Sequence, residues 1–181
     1  YVGGDTVRVG DFIYAMLGVS RSFCRYSIAD NIWQPLQYTP ASVSWGGSLC
    51  YPADGGDFIY ATRGSETTDF WRYSISQNTW TTRAPVGSPA TTINNTIGSG
   101  ACMAAPGNGY VYLLRGRSTT GLFRYTIAPN TWSGDLGPAG GMPRPAEPGT
   151  EMIYPGSGSV CYVMFYDSSW TGGAFFYKYT Y

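Results

Sequence analysis

The sequence predicts an all-β chain of about four repeated units, each a small antiparallel sheet, and three observations predict it. A segment of about fifty residues recurs along the 181-residue chain. Within each copy, short runs of β-branched and aromatic residues alternate with clusters of Gly, Pro, Asn and Ser, the composition of strands and turns. No window carries a sustained helical period, because Gly (25 copies) and Pro (12 copies) interrupt every candidate.

The first copy reads DFIYAMLG then FCRYSIADNIW, the second DFIYATRG then FWRYSISQNTW, the third GYVYLLRG then LFRYTIAPNTW. Each has the same step from Tyr to Trp: Tyr26 to Trp33, Tyr73 to Trp80, Tyr125 to Trp132. The fourth copy, CYVMFY then FFYKYTY, puts Tyr179 at the Tyr position and ends before a Trp. Tyr14, Tyr60, Tyr112 and Tyr162 share a second repeat position. In each unit a strand such as DFIYA ends at Gly, a polar tip follows (GSETTD, GRSTTG), and an aromatic strand returns. A turn of the Ser-Gln-Asn-Thr or Ala-Pro-Asn-Thr type comes next, where Asn tolerates left-handed backbone. Trp opens the last strand, and a link such as Ala84-Pro85 or Gly137-Pro138 leads on. SLCYPADGG, ACMAAPGNG and EMIYPGSGS supply the first strands of the later units. With no linker or composition shift, the units 1–39, 40–88, 89–142 and 143–181 form a single domain.

A four-stranded sheet of this size cannot bury both faces alone, whereas radially stacked blades cover one another. The period, the Gly after the second strand, the Tyr of the third and the Trp seven residues on resemble the kelch repeat over essentially the whole chain. One feature departs from that pattern: a single Gly, preceded by Leu17, Arg63 or Arg115, stands where kelch units usually carry a Gly-Gly doublet, and the fourth copy has Phe165-Tyr166. The resemblance implies a β-propeller, a fold that generally closes with five to seven blades of this kind. Three arrangements follow for four blades: a small closed ring, part of a larger propeller, or an open set completed by another chain. Beginning at Tyr1, the sequence reads as a processed chain or a piece of a longer one. The aromatic segment Phe175–Tyr181 lacks a further strand, and the N-terminal YVGGDTVRV is its expected partner. Paired within the chain, the two close a monomeric ring. Paired between chains, they propagate head to tail into a fibre.

Chemistry is constrained most by what is missing. The chain has no His, which removes Ser-His-Asp and Cys-His nucleophile systems and zinc sites of the usual kind. The kelch resemblance raises the copper radical oxidases, whose copper needs histidine ligands, and the same absence argues against them. No cofactor or metal is expected. Eleven basic and eleven acidic residues balance, without the basic excess of a nucleic-acid binder. The longest apolar run, around Val111 to Leu114, is strand-sized and far short of a bilayer span. The three Glu, Glu66 on a hairpin tip and Glu147 and Glu151 in a Pro-rich connection, read as solvated loop charges and not as a glycosidase pair. SISQNTW lacks the Asp and Gly of a sialidase-type Asp box.

Arg25, Arg72, Arg124 and Lys178 recur just before the third-strand Tyr, where stacking on aromatics is favoured over a ligand-binding ring of cations. Trp33, Trp80 and Trp132 read as wedges between blades. Trp170, in the hairpin DSSWTGGA, breaks the repeat and is the single best candidate contact residue. Cys50 and Cys102 take equivalent first-strand positions, and all four cysteines are expected as free, mostly buried thiols. Asn94, in Asn94-Asn95-Thr96, is a candidate glycosylation site. The Ser/Thr/Gly/Tyr-rich, Lys-poor composition leads to a non-enzymatic extracellular or cell-surface protein, structural or adhesive, with other copies of itself as partners. A lectin-like or protein-binding propeller gripping a carbohydrate or protein is the alternative. An enzyme piece whose further blades carry the histidines is the remote third.

Overall fold

The structure, a computed structural model, describes residues 3–87, 95–136, 142–166 and 173–181. Its regular elements there are all strands, grouped in four antiparallel sheets. Blade 1 comprises β1 (Asp5–Val9), β2 (Phe12–Met16), β3 (Phe23–Ser27) and β4 (Ile32–Pro35). Blade 2 comprises β5 (Ser48–Cys50), β6 (Phe58–Thr62), β7 (Phe70–Ser74) and β8 (Thr79–Thr82). Blade 3 comprises β9 (Cys102–Ala104), β10 (Tyr110–Leu114), β11 (Leu122–Thr126) and β12 (Thr131–Trp132). Blade 4 has three described strands, β13 (Glu151–Ile153), β14 (Val160–Tyr166) and β15 (Ala174–Thr180). Every blade is a meander, each strand pairing with the next in sequence. The four stand side by side in a four-blade β-propeller arrangement, with inner strands β1, β5, β9 and β13 neighbouring one another in that order.

The turn residues follow from the chemistry of their positions. Asn31, Asn78 and Asn130 close the β3–β4, β7–β8 and β11–β12 turns in the left-handed region, at φ 57°, 51° and 58°. That conformation is strained for most L-residues, and Asn tolerates it because its short amide bonds locally.

Alternation along each strand builds two faces per blade, and the faces stack in sequence. The joint between blades 1 and 2 buries Tyr14, Met16 and Phe23 against Leu49, Ile59, Ala61, Trp71 and Tyr73. The joint between blades 2 and 3 buries Cys50, Tyr60 and Phe70 against Met103, Val111, Leu113, Phe123, Tyr125 and Trp132. The joint between blades 3 and 4 buries Cys102, Ala104, Tyr112, Leu114 and Leu122 against Met152, Cys161, Val163 and Phe165. Blades 1 to 3 thus each present a forward face, carrying Tyr14 or its equivalents, to the rear face of the next.

Three sequence expectations are corrected. The N-terminal segment does not partner Phe175–Tyr181: β1 lies innermost in blade 1, in register with β2 from Asp5–Met16 to Val9–Phe12. As the inner strand of blade 1, β1 lies beside β5 of the next blade, while β15 is the third strand of blade 4, at the far side of its sheet from the inner strand β13. Cys50 and Cys102 are not equivalent, since Cys50 pairs with Tyr60 while Cys102 pairs with Leu114. Ala104, opposite Tyr112, is the residue that matches Cys50. Glu151 lies in β13 rather than in a loop. All four cysteines are free, with Cys24 half-buried and the others buried.

Candidate functional site

The first two joints within the chain are each a polar clasp wrapped around an aromatic lock. In the first joint Trp80 Nε1 donates to the Gln37 carbonyl at 3.0 Å. The Gln37 N–H donates to Asn78 Oδ1 at 2.9 Å, and Tyr73 OH donates to the same oxygen at 2.8 Å. The second joint repeats this with Trp132 Nε1 on the Ala84 carbonyl (2.9 Å), the Ala84 N–H on Asn130 Oδ1 (2.9 Å) and Tyr125 OH on Asn130 Oδ1 (2.8 Å). The repeated Tyr, Asn and Trp therefore grip the backbone that follows the outer strand of the preceding blade. In their left-handed turns Asn78 and Asn130 each accept on one amide oxygen from the Tyr hydroxyl of their own blade and from a backbone N–H of the preceding one.

The lock is aromatic. Phe23 of blade 1 packs edge-on between Tyr73 (4.8 Å between centroids) and Trp80 (4.9 Å) of blade 2, while stacking on Tyr14 at 5.9 Å. Phe70 repeats this against Tyr125 (4.8 Å) and Trp132 (4.9 Å), stacking on Tyr60 at 5.8 Å. Edge-to-face pairs at such distances add about 0.5–1.5 kcal/mol each beyond the area they bury.

Loops complete the joints. The bridges Ser20–Val43, Thr67–Ile97 and Thr119–Ala146 tie each blade's tip to the entry of the next. Gly3, Gly46 and Gly100 have φ near +85° and abut the following blade. A Cβ on them would meet the carbonyl oxygens of Ser44, Gly98 and Glu147 at 2.0, 2.3 and 2.4 Å.

Two faces hold the same parts with nothing against them among the described residues. On the rear face of blade 1, Tyr26 OH donates to Asn31 Oδ1 in a short hydrogen bond, and Trp33 is 58 % exposed although Trp132 is 3 % exposed. Trp33 is thus no wedge: its repeat position is that of Trp80 and Trp132, but no blade precedes it in the described residues. On the forward face of blade 4, Tyr162 and Phe176 occupy the places of Tyr60 and Phe70, opposite Lys178 and Met164. They are 40 % and 75 % exposed, with Ile153 and Tyr166 also open beside them. Gly149 keeps φ +92°, yet a Cβ there would meet only its own blade's Tyr166, at 3.4 Å. No hydrophobic core joins blade 4 to blade 1 among the described residues.

The four inner strands line a central channel. An open cavity of about 490 Å³ there is bordered by Arg8, Leu49, Met103, Met152 and Tyr154 among others. At its other end Trp45, 54 % exposed, stands over the loops carrying Gly46, Gly100 and Gly149. Asp5 ties β1 to β5, accepting from Leu49 N (2.7 Å), Ser48 Oγ (3.0 Å) and Thr6 N (2.7 Å). Burial pushes its carboxyl above the usual range, against the pull of those bonds. Glu151 is raised too, by burial and then by the charge of Asp5. Burial likewise raises the Cys50, Cys102 and Cys161 thiols, which keeps them protonated and unreactive near neutrality.

The remaining sequence candidates sort as follows. The Arg row stacks: Arg25 lies over Phe12 (4.5 Å), Arg72 over Phe58 (3.9 Å) and Arg124 over Tyr110 (4.6 Å). Lys178 stands in the same row, on the open face. Tyr73 and Tyr125 are buried, and Tyr179 is half-buried beside Tyr112 at 5.9 Å. Glu66 is not merely solvated, since it pairs with Arg117 at 3.6 Å across the second joint. Trp170 and Asn94 lie outside the described residues. Sequence reasoning missed the clasp role of Asn31, Asn78 and Asn130. The invariant Tyr-x4-Asn-x-Trp spacing was its available signal.

No protein-family model matches the chain, and no curated protein matches it in sequence. Among solved structures, YjhT is similar in fold, with a TM-score of 0.65 at 15 % identity over 91 % of this chain. The chain spans 58 % of the length of YjhT.

Proposed function

We propose that this chain is a non-enzymatic, kelch-like interaction module that works outside the cell as a structural or adhesive unit. One observation carries the proposal: two blade faces display the side chains of a joint, Tyr26, Asn31 and Trp33 on one and Tyr162 and Phe176 on the other, with nothing against them among the described residues. Exposed aromatics on rigid strands are the side chains that dominate binding energy at interfaces. The extracellular setting is supported by the Lys-poor, Ser/Thr/Tyr-rich composition.

A second reading has its own support, a ligand site in the channel cavity beside Arg8. The two separate in one experiment. The immobilised chain is exposed to a panel of cell-surface polysaccharides and proteins, with Phe176→Ser and Arg8→Ala variants alongside. Binding lost in Phe176→Ser and kept in Arg8→Ala is the expected result. Loss confined to Arg8→Ala would move the function to the channel, and turnover of a panel member would end the non-enzymatic proposal.

A further inference from the structure

We infer that the two open faces are the halves of one joint, and that the occupant of each is a second copy of this chain, blade 4 of one copy seated on blade 1 of the next. The inference rests on the interaction-module reading and names its partner.

The joint is known in detail because the chain builds it internally. A forward-face Phe enters between a rear-face Tyr and Trp at centroid distances of 4.8 and 4.9 Å, twice over. Phe23 and Phe70 are at most 1 % exposed once seated. Phe176 stands at the same position relative to its sheet, paired with Met164 as Phe23 pairs with Met16. It is the most exposed large apolar side chain described, at 75 %. Tyr26 and Trp33 already hold the geometry of the receiving pair, with ring centroids 5.2 Å apart, against 5.0 Å for Tyr73–Trp80 and 5.2 Å for Tyr125–Trp132. The receptor is preorganised, so little ordering cost attends docking.

Gly149 is the second, independent mark. Gly3, Gly46 and Gly100 adopt positive φ where a neighbouring blade's carbonyl leaves no room for a Cβ. Gly149 adopts the same conformation, but among the described residues a Cβ there would meet no neighbouring blade's carbonyl, so its side matches the one that the other three press against the next blade. In the contact between copies the aromatic lock supplies the buried centre. Asn31 Oδ1 and the Trp33 indole N–H lie at its rim, where water can serve them. A contact between two different faces is heterologous, so copies add in one direction. In this contact the copies meet face to face through side chains, with β1 paired to β2 and β15 to β14 within each chain.

Light scattering across a concentration series tests this, with Phe176→Ser and Trp33→Ser variants checked for native circular dichroism. The wild type is expected to grow with concentration from 19.6 kDa in whole-chain steps. Each variant alone weakens association by about thirtyfold or more, as for an aromatic hot spot. A mixture of the two variants restores one intact joint, Phe176 of the Trp33→Ser chain on Trp33 of the Phe176→Ser chain, and stops at pairs. A 19.6-kDa particle at every concentration overturns the inference, as does assembly that persists in both variants. Were the chain monomeric while Phe176→Ser still abolished binding to the panel above, the second copy would be excluded and the interaction module retained.

Discussion

Phe70 and Phe176 are the same residue at the same repeat position in different surroundings, and truncating each to Ala measures what a joint contributes. Phe70 is fully buried, stacked on Tyr60 and edge-on to Tyr125 and Trp132. Removing its ring leaves a cavity between blades 2 and 3 and deletes two edge-to-face pairs. Phe→Ala in a packed core costs about 3–5 kcal/mol. For a chain of this length that lowers the midpoint of thermal unfolding by roughly 6–20 °C, at about 2–4 °C per kcal/mol. Phe176 is 75 % exposed, and Phe176→Ala is expected to change stability by no more than about 0.5 kcal/mol in the unassembled chain. The assay is urea and thermal unfolding followed by circular dichroism, at a concentration where light scattering shows single chains. Equal destabilisation by the two substitutions would refute the reasoning, because it would mean that blade 4's forward face is already covered within one molecule.

Two further predictions use the same logic. Gly100→Ala places a Cβ 2.4 Å from the Glu147 carbonyl oxygen and should destabilise by several kcal/mol, whereas Gly149→Ala should cost only the backbone strain of about 1 kcal/mol, measured by the same unfolding curves. Burial pushes the Tyr60, Tyr73 and Tyr112 hydroxyls to about 12 from an ordinary 10.0. Between those values the unfolded chain sheds phenolic protons that the folded chain retains, so stability present below pH 10 falls as pH rises towards 12. Absorbance titration of phenolate should show Tyr60, Tyr73 and Tyr112 ionising only late or on unfolding. A single titration of all tyrosines near pH 10 in the folded protein would contradict this.

Strands and turns were legible because each depends on residues close together in the chain. Tyr60 and Ile59 alternate across β6 and point to opposite joints, as any strand with a period of two must. The Asn before each Trp marks a left-handed turn whichever blade it closes. The stacking of Arg25, Arg72 and Arg124 on rings of their own blades was equally readable, since both partners lie in one hairpin. The clasp was not, because Asn78 and Trp80 bind the backbone of Gln37, and no side-chain pattern announces which carbonyl a distant indole will reach. Register misled in a similar way: Cys50 and Cys102 both sit in inner strands, yet a shift of two residues separates their places, and only cross-strand pairing shows it.

Local chemistry therefore dictates the blade: the repeat, its strands, its turns and the aromatic composition of its faces follow from residue types within about fifty positions. Whether a face is interior or surface is decided by the neighbour that stacks on it. Trp132 and Trp33 occupy one motif position, and one is buried while the other stands open, because burial belongs to the assembled pair of sheets and not to either strand alone.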